Sequence, residues 1–342
     1  MTVDLNPYLE AVEKELSDSL SPRDERALPL YQMMQYHMGW LDCEFAPENA
    51  PRGKRLRPAM CLLACEAVSG EWRQALPAAA AIELIHNFSL LHDDIEDNSE
   101  TRRHRATVWS LWGIAQGINT GDAMWALSRL AVYRLSDLGH PAETVLSVAR
   151  RLDETCLELC TGQYLDLHFE ERDGVTLPEY ERMISGKTAA LLSASLTVGA
   201  LLGGAPAEVV HSYGEFGREL GLAFQITDDI LGIWGDPAVT GKSAASDIIA
   251  RKKTLPVLYA LQWEQERGHD DLERIYTGPS LGNGDVSAVL SLLERAGALD
   301  YVRHRAAEHH RRTMDHLQAT GVTGPAQDAL RALALSILDR SH

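Results

Sequence analysis

The sequence is short of cysteine and lysine, and it contains no long apolar run. Its five cysteines are an odd number for a disulfide framework, so we expect reduced thiols. No apolar run reaches the length of a membrane span and the first residues do not resemble a signal peptide, so we expect a cytoplasmic protein. The net charge of −17 argues against nucleic acid or an anionic membrane surface as partner.

Lysine is scarce, and its placement is uneven. Arginine supplies most of the positive charge, whereas five of the six lysines fall in short segments with other basic or glycine residues: Lys54, Lys187, Lys242, Lys252 and Lys253. A compact ammonium group suits phosphate binding. The placement therefore suggests sites for anionic ligands.

The hydrophobic periodicity is helical nearly throughout and predicts an all-α bundle of ten or more helices. We expect one domain over residues 1–342, because no low-complexity linker divides the chain. The polar segment 95–105 is predicted to be irregular, and a break is expected between helices 107–117 and 121–138. No alternating strand pattern is evident.

An acidic sequence, HDDIED, ends the long apolar helix predicted over 77–94. Asp93 and Asp97 are four residues apart, so they lie on one helix face about one turn apart. Two such carboxylates repel each other unless a cation lies between them, and Mg²⁺ is the natural occupant. Taken alone, the pattern is equally a solvated acidic helix end.

A second acidic cluster, FQITDD, also lies at the end of a long apolar helix. The helix dipole disfavours carboxylates such as Asp228 and Asp229 there, which calls for a compensating cation. We expect the two clusters to face one another and to hold several Mg²⁺ ions that substrate phosphates complete. Position 232 is Gly232, so Asp236 is a candidate for a further acidic group.

Basic segments accompany both clusters: Gly53–Pro58, Thr101–Arg105, Gly186–Thr188, Gly241–Ser243 and Arg251–Thr254. Each alone is compatible with a solvated turn. Lys187 lies mid-helix among apolar residues, where a cation needs an anionic partner. The segment 235–243 is similar to a P-loop but has one residue too many between its glycines and no preceding strand, so a nucleotide-binding loop is rejected.

Together these segments resemble the trans-isoprenyl diphosphate synthases, or polyprenyl synthetases, from Gly53 to Pro256. Six signatures occur in the family's order: GKRLRP, the helix with His86, DDIED, the RR pair, GKTA, and FQITDD followed by GK and KKT. The resemblance implies an isoprenoid-synthase-type bundle around a central cavity, commonly dimeric. It also implies an enzyme that condenses isopentenyl diphosphate with C5–C15 allylic diphosphates, using Mg²⁺.

The resemblance also implies residue roles. Metal binding falls to Asp93, Asp94, Asp97, Asp228 and Asp229. Contacts with the allylic diphosphate fall to Arg102, Lys187, Lys242 and Lys252. Contacts with the diphosphate of isopentenyl diphosphate fall to Lys54, Arg57, His86 and Arg103. Two residues, Thr188 and Gln225, would line the site near the developing cation. The catalytic set is Asp93, Asp94, Asp97, Arg102, Lys187 and Asp228.

Product length is expected to depend on the helix before the first cluster. Phe88 and Ser89, five and four residues before Asp93, resemble the pattern of geranylgeranyl diphosphate synthases and predict a C20 product. The alternatives are a farnesyl (C15) or C25 diphosphate synthase and, further off, a class I terpene cyclase, which would need no second diphosphate site.

Overall fold

The protein is described here by a computed structural model that covers residues 4–235, 245–278 and 284–338. Helices dominate this part of the chain, and its β structure is one hairpin of two-residue strands. The all-α prediction is therefore confirmed.

The helices of the first half follow one another with short connections. Their bounds are α1 Asn6–Ser19, α2 Leu28–His37, α3 Leu56–Ser69, α4 Leu76–Glu96, α5 Val108–Trp112, α6 Ile114–Tyr133 and α7 Ala142–Glu171. Single 3₁₀ turns lie at Glu25–Ala27, Arg73–Ala75 and Arg134–Leu138. The hairpin pairs β1 (Thr101–Arg102) with β2 (Arg105–Ala106).

The second half continues the same pattern. Its helices are α8 Leu177–Ile184, α9 Ala190–Leu202, α10 Ala207–Trp234, α11 Ser246–Ile249, α12 Leu255–Gln265, α13 Asp271–Thr277, α14 Asp285–Ala296, α15 Ala298–Ala319 and α16 Pro325–Leu338. A π-helical turn, Ser185–Ala189, joins α8 to α9.

The chain divides into two compact units. Unit 1 comprises Met1–Leu157, Ala194–Gly214 and Thr320–Leu330, and unit 2 comprises Glu158–Ser193, Glu215–Ala319 and Arg331–His342. Helix α4 is the buried centre of unit 1, since every residue from Ala78 to Ile85 is buried. The single-domain prediction for 1–342 stays a prediction.

Several helices begin where the sequence supplies a starting signal. Proline occupies the first turn of α1, α2, α4, α8 and α12, where its missing N–H costs no hydrogen bond. At α8 the Thr176 side chain accepts from the Glu179 N–H while the Glu179 carboxylate accepts from the Thr176 N–H.

The predicted break between residues 117 and 121 was wrong. The chain breaks at Gly113, whose φ of +88° favours glycine, and α6 then runs through both later glycines. Gly117 and Gly121 are needed for packing instead. A Cβ at Gly117 would lie 2.8 Å from Ile95 Cδ1, and one at Gly121 would lie 2.3 Å from His92 Nε2. Glycine there lets α6 approach α4 closely.

The segment 95–105 is more ordered than predicted, because it carries the β1–β2 hairpin. Its register places Arg102 opposite Arg105. Two-residue strands leave no alternating pattern for sequence reasoning to find. The short helix α13 was also missed.

One helical stretch, Leu177–Leu202, is long and apolar enough to cross a membrane by length and composition, with a mean hydropathy of 1.3. The sequence had suggested no run of that length. Within this stretch 72% of the most apolar window is buried inside the protein, as in a core helix.

The π-helical turn in unit 2 depends on two glycines. A Cβ at Gly162 on α7 would lie 2.2 Å from the Lys187 backbone N and 2.8 Å from the Gly186 carbonyl carbon. A Cβ at Gly186 would lie 2.6 Å from the Glu158 carbonyl oxygen. The neighbouring atoms are backbone, so they cannot move aside without moving a helix.

We expect Gly162→Ala to lower the free energy of unfolding by about 1–3 kcal/mol, because the new methyl group overpacks a backbone contact. Chemical denaturation of wild type and variant measures the effect. Gly278→Ala is the matched control in unit 2, since its Cβ would lie 3.3 Å from the nearest atom and its φ of −62° suits alanine. Equal stability of Gly162→Ala and wild type would contradict this packing.

Candidate active site

The first acidic cluster occupies the last turn of α4 and its cap. Asp97 is the C-cap residue, and its N–H donates to the Asp93 carbonyl oxygen at 2.8 Å. Asp93 is half-buried and Asp97 is exposed, whereas Asp94 is 1% exposed. The three carboxylates are therefore not equivalent, since two reach towards solvent and one turns inward.

Asp94 forms an ion pair with Arg102. Arg102 Nε donates to Asp94 Oδ1 at 2.8 Å, and the buried Oδ2 has no hydrogen-bond partner in the described chain. Burial raises the pKa of the Asp94 carboxyl group, and the Arg102 charge opposes that rise. Asp94 thus fixes the arginine that follows the cluster in sequence.

The β1–β2 hairpin presents the basic residues 102–105 through a tight turn. Its two turn residues, Arg103 and His104, have φ values of 52° and 64°. This left-handed conformation matches the strand twist but costs about 1–2 kcal/mol per non-glycine residue. Arg105 helps to hold the turn, because it donates to Glu48 at 2.8 Å and to the Tyr36 carbonyl oxygen at 2.9 Å.

The GKRLRP segment is anchored by Arg55, at the N-cap of α3. Arg55 is 5% exposed, and its guanidinium bonds Glu13 at 2.7 Å and Glu83 at 2.6 Å. Its φ of 50° is left-handed. Lys54, next to it, remains exposed. The buried Arg55 pair therefore fixes the segment from which Lys54 and Arg57 project.

Arg57 and Arg103 are cations with little compensation. Arg57 Nη1 lies 3.4 Å from His86 Nε2, and the buried Arg57 Nε has no hydrogen-bond partner among the described residues. Arg103 packs on Gly53, where a Cβ would lie 2.9 Å from Arg103 Nη2. Burial lowers the pKa of both guanidinium groups. Within the described ranges neither forms an ion pair with a carboxylate.

His86 is neutral in this environment. Burial, followed by the charges of Arg57 and Arg103, lowers its pKa well below the usual value. Because the arginine can only donate, Nε2 accepts from Arg57 and the ring proton lies on Nδ1. The structure therefore brings Arg57, His86 and Arg103 of the predicted set together.

Sequence reasoning missed Glu83 and His37. Glu83 is 2% exposed and accepts from Asn87 Nδ2 at 2.9 Å as well as from Arg55. Burial lowers the pKa of His37 to about 3, with contributions from Arg102 and Arg103. An acid inside the apolar helix 77–91 was a signal that could have identified Glu83.

The two predicted chain-length residues lie on different sides of α4. Phe88 is 8% exposed and packs edge-to-face on His92, with ring centroids 5.8 Å apart. Ser89 is half-buried, donates to the His86 carbonyl oxygen at 2.9 Å and lies one turn before Asp93. Ser89 thus shares the face of Asp93, and Phe88 faces the side of His92.

In unit 2, Lys187 lies on the π-helical turn. It forms an ion pair with Asp166 of α7. Thr188 on the same turn donates to Gln225 Oε1 at 2.8 Å. π-Helical turns frequently mark functional sites, and this one aims two of the predicted residues away from regular helix geometry. Asp166 was not predicted.

The second acidic pair repeats the division found in the first. Asp228 is half-buried, whereas Asp229 is 4% exposed. Asp229 accepts from the Tyr180 hydroxyl, from the Leu255 N–H at 2.9 Å and from Gln225 Nε2 at 3.3 Å. Burial raises the pKa of Asp229 to about 7, against the effect of these donors.

The two adjacent lysines after α11 differ. Lys252 is exposed, whereas Lys253 donates to the carbonyl oxygens of Glu170 and Arg172 near the end of α7. The sequence prediction chose Lys252. Lys242 and Asp236 lie outside the described residues.

The acidic clusters suit a hard divalent cation. Their donors are carboxylate oxygens, the ligands that Mg²⁺ prefers, and one buried oxygen, Asp94 Oδ2, has no hydrogen-bond donor within the described ranges. In residues 4–235, 245–278 and 284–338 no three His, Cys, Asp or Glu side chains converge enough to hold a metal by themselves. The residues therefore fit a cation whose coordination a ligand such as diphosphate completes.

The buried His37 predicts a pH dependence of stability. Its folded-state pKa is below its unfolded value, so the stability it contributes is present above pH 6.5 and is lost as the pH falls towards 3. Between pH 7 and pH 5 we expect His37→Asn to lose about 1–2 kcal/mol less than wild type. Denaturant titrations at both pH values measure this, with the exposed His104→Asn as control. Parallel losses in wild type and His37→Asn would contradict the prediction.

Comparison with known proteins identifies the family. The polyprenyl synthetase family matches residues 43–293. The chain is 39% identical over 330 residues to a (2E,6E)-farnesyl diphosphate synthase of Mycobacterium tuberculosis, covering 96% of this chain and 89% of the relative. It is 42% identical over 281 residues to a geranylgeranyl diphosphate synthase of the same species, covering 82% and 79%. A polyprenyl synthetase structure from Streptomyces coelicolor A3(2) superposes with a TM-score of 0.86 at 35% identity, covering 98% of this chain and 100% of that one. The chain therefore belongs to the polyprenyl synthetase family, and the predicted enzyme class, prenyl diphosphate synthase, is confirmed.

Proposed function

We propose that this protein condenses isopentenyl diphosphate head-to-tail with C5–C15 allylic diphosphates, using Mg²⁺, to give a C20 product. The observation that carries the proposal is the cluster of Arg57, Arg103 and neutral His86 in unit 1. Two guanidinium groups with lowered pKa values and no carboxylate within 4 Å in the described chain call for an anion.

This cluster is suited to the diphosphate of isopentenyl diphosphate. Arg57 and Arg103 supply planar sets of donors that match phosphate oxygens, and Lys54 supplies an exposed ammonium. His86 can donate from Nδ1 because Nε2 is engaged by Arg57. The site therefore binds one diphosphate through protein donors alone.

The acidic clusters are suited to the allylic diphosphate. Asp93, Asp97 and Asp228 offer oxygens towards solvent, while Asp94 and Asp229 are held by protein donors. Bound Mg²⁺ would neutralise the leaving diphosphate as its C–O bond breaks. Arg102, Lys187 and Lys252 add positive charge, and the family resemblance gives Lys242 the same role.

The bond-forming step then needs positioning and exclusion of water. The double bond of isopentenyl diphosphate attacks the allylic carbon, and a proton leaves the adduct to restore a double bond. The family resemblance assigns that proton to the departed pyrophosphate. Thr188 and Gln225 are held to each other at 2.8 Å, which fixes two polar groups for the developing positive charge.

A product assay with Mg²⁺, labelled isopentenyl diphosphate and each of the C5, C10 and C15 allylic diphosphates tests the function. We expect metal-dependent incorporation that ends at C20. A product that ends at C15 would keep the reaction and replace the length. If isopentenyl diphosphate is never incorporated while a C15 or C20 diphosphate becomes a hydrocarbon, the protein is a cyclase and the proposal fails.

Phe88 is the proposed floor for the growing chain. We expect Phe88→Ala to shift products beyond C20, because it replaces a buried ring one turn before the aspartates by a methyl group. Chromatography of the dephosphorylated products measures their length.

Leu84→Ala is the matched control, since Leu84 is buried on the same helix but one turn further from the aspartates. It should lower stability without changing product length. Products of unchanged length from Phe88→Ala would remove Phe88 as the floor.

We also propose that the protein is a cytoplasmic homodimer. Helix α6 exposes a row of apolar side chains, with Ile114 54%, Ile118 43% and Trp125 42% exposed. These three residues lie within about 40° of one another around the helix, so they form one face. An apolar face of this kind is typical of an interface between copies.

Sedimentation measurements test the dimer. We expect wild type to have twice the 37.7 kDa mass of one chain. Ile118→Asp should shift it towards the single-chain mass, because a charge would be buried at the interface. The exposed Leu28→Asp, elsewhere in unit 1, is the control. A single-chain mass for wild type would refute the dimer.

A further inference from the structure

Position 232, where many members of this family carry a third aspartate, is occupied by another residue's carboxylate. Gly232 lies one turn after Asp228 on α10, so both are on the same helix face. A Cβ added at Gly232 would lie 2.0 Å from Asp247 Oδ2 and 2.5 Å from Asp247 Cγ. The Asp247 carboxylate therefore packs directly on the glycine backbone.

The short helix α11 holds Asp247 in place. Its neighbours Ala245 and Ile248 are 4% and 0% exposed and belong to a hydrophobic cluster that includes Ile233 of α10. Ser246 Oγ donates to the Gly232 carbonyl oxygen at 3.4 Å. Buried residues on both sides of Asp247 thus fix its position against the end of α10, and Asp247 itself is half-buried.

A nearby buried hydroxyl also lacks a partner. Tyr276 is 8% exposed, and its hydroxyl makes no hydrogen bond among the described residues. The charge of Asp247, together with burial, raises the pKa of this hydroxyl, which places the two groups in one electrostatic environment. A buried polar group of this kind is normally satisfied by water or a ligand.

We propose that Asp247 supplies the third carboxylate of the second acidic cluster, in place of the acid absent at position 232, and binds the divalent cation of the diphosphate complex. Gly232 is required because any side chain there would displace that carboxylate. The pair Asp228 and Asp247 then reproduces, from two helices, the one-turn spacing that Asp93 and Asp97 have on one helix. This inference rests on the proposed function, since it concerns the same ligand.

The arrangement predicts that the carboxylate can be transposed. Asp247→Ala should weaken cation binding by about 10-fold, and Gly232→Ala should act in the same direction by displacing the carboxylate. The double variant Gly232→Asp/Asp247→Ala should return to within about threefold of wild type. Glu273→Gln, an exposed charge of the same unit, is the matched control and should bind as wild type does.

The measurement is titration of Mn²⁺ in the presence of inorganic pyrophosphate, followed by electron paramagnetic resonance, with incorporation of isopentenyl diphosphate measured in parallel. Wild-type affinity in both Asp247→Ala and Gly232→Ala would overturn the inference. Loss in Asp247→Ala that the double variant does not restore would also overturn it, because Asp247 would then act only on the fold. Asp247→Asn, which keeps shape, replaces Asp247→Ala if the latter does not fold. Failure of wild type to incorporate isopentenyl diphosphate would count against the proposed function, whereas the binding data judge Asp247 separately.

Discussion

The interaction on which the rest of unit 1 depends is the buried ion pair of Arg55 with Glu83. Neither group could be buried without the other, because a lone charge in a protein interior is costly. Together with Glu13 it fixes a left-handed backbone at the start of α3 and a polar point inside the apolar helix α4. With that frame set, Arg57 and Arg103 are held close to neutral His86 without an acid of their own in the described chain. The energy that the fold spends in keeping these cations together becomes available when an anion binds.

The two aspartate pairs show a common division of labour. In each pair the second residue is buried and tied to protein donors, Asp94 to Arg102 and Asp229 to Leu255 and Tyr180. The first residue, Asp93 or Asp228, is half-buried. The inner carboxylate thus fixes the helix end and its neighbours, and the outer carboxylate is placed for a cation. A DD sequence serves both purposes because adjacent residues on a helix point about 100° apart.

Much of this could be predicted from the sequence. Periodicity and proline placement identified most helices, and the order of the motifs identified the family. Contacts between distant residues could not be predicted in the same way. The roles of Gly117 and Gly121 depend on side chains of α4, and both were misread as a helix break. Glu83, His37, Asp166 and Asp247 have no motif spacing of their own, so only the folded chain shows that they contact Arg55, the arginine cluster, Lys187 and Gly232. The hairpin turn at Arg103 and His104 was missed because its left-handed residues are not the usual asparagine and glycine.

The most direct test of this account is calorimetric binding of isopentenyl diphosphate to the protein without divalent metal. If Arg57 and Arg103 form a diphosphate site that protein donors complete, wild type binds under these conditions. Arg57→Gln and Arg103→Gln should each then weaken binding by at least about 10-fold, because a charge-assisted hydrogen bond is worth roughly 1.5–3 kcal/mol. The exposed Arg73→Gln should bind as wild type does. Equal binding by wild type and both variants, or binding that appears only with metal, would contradict the account.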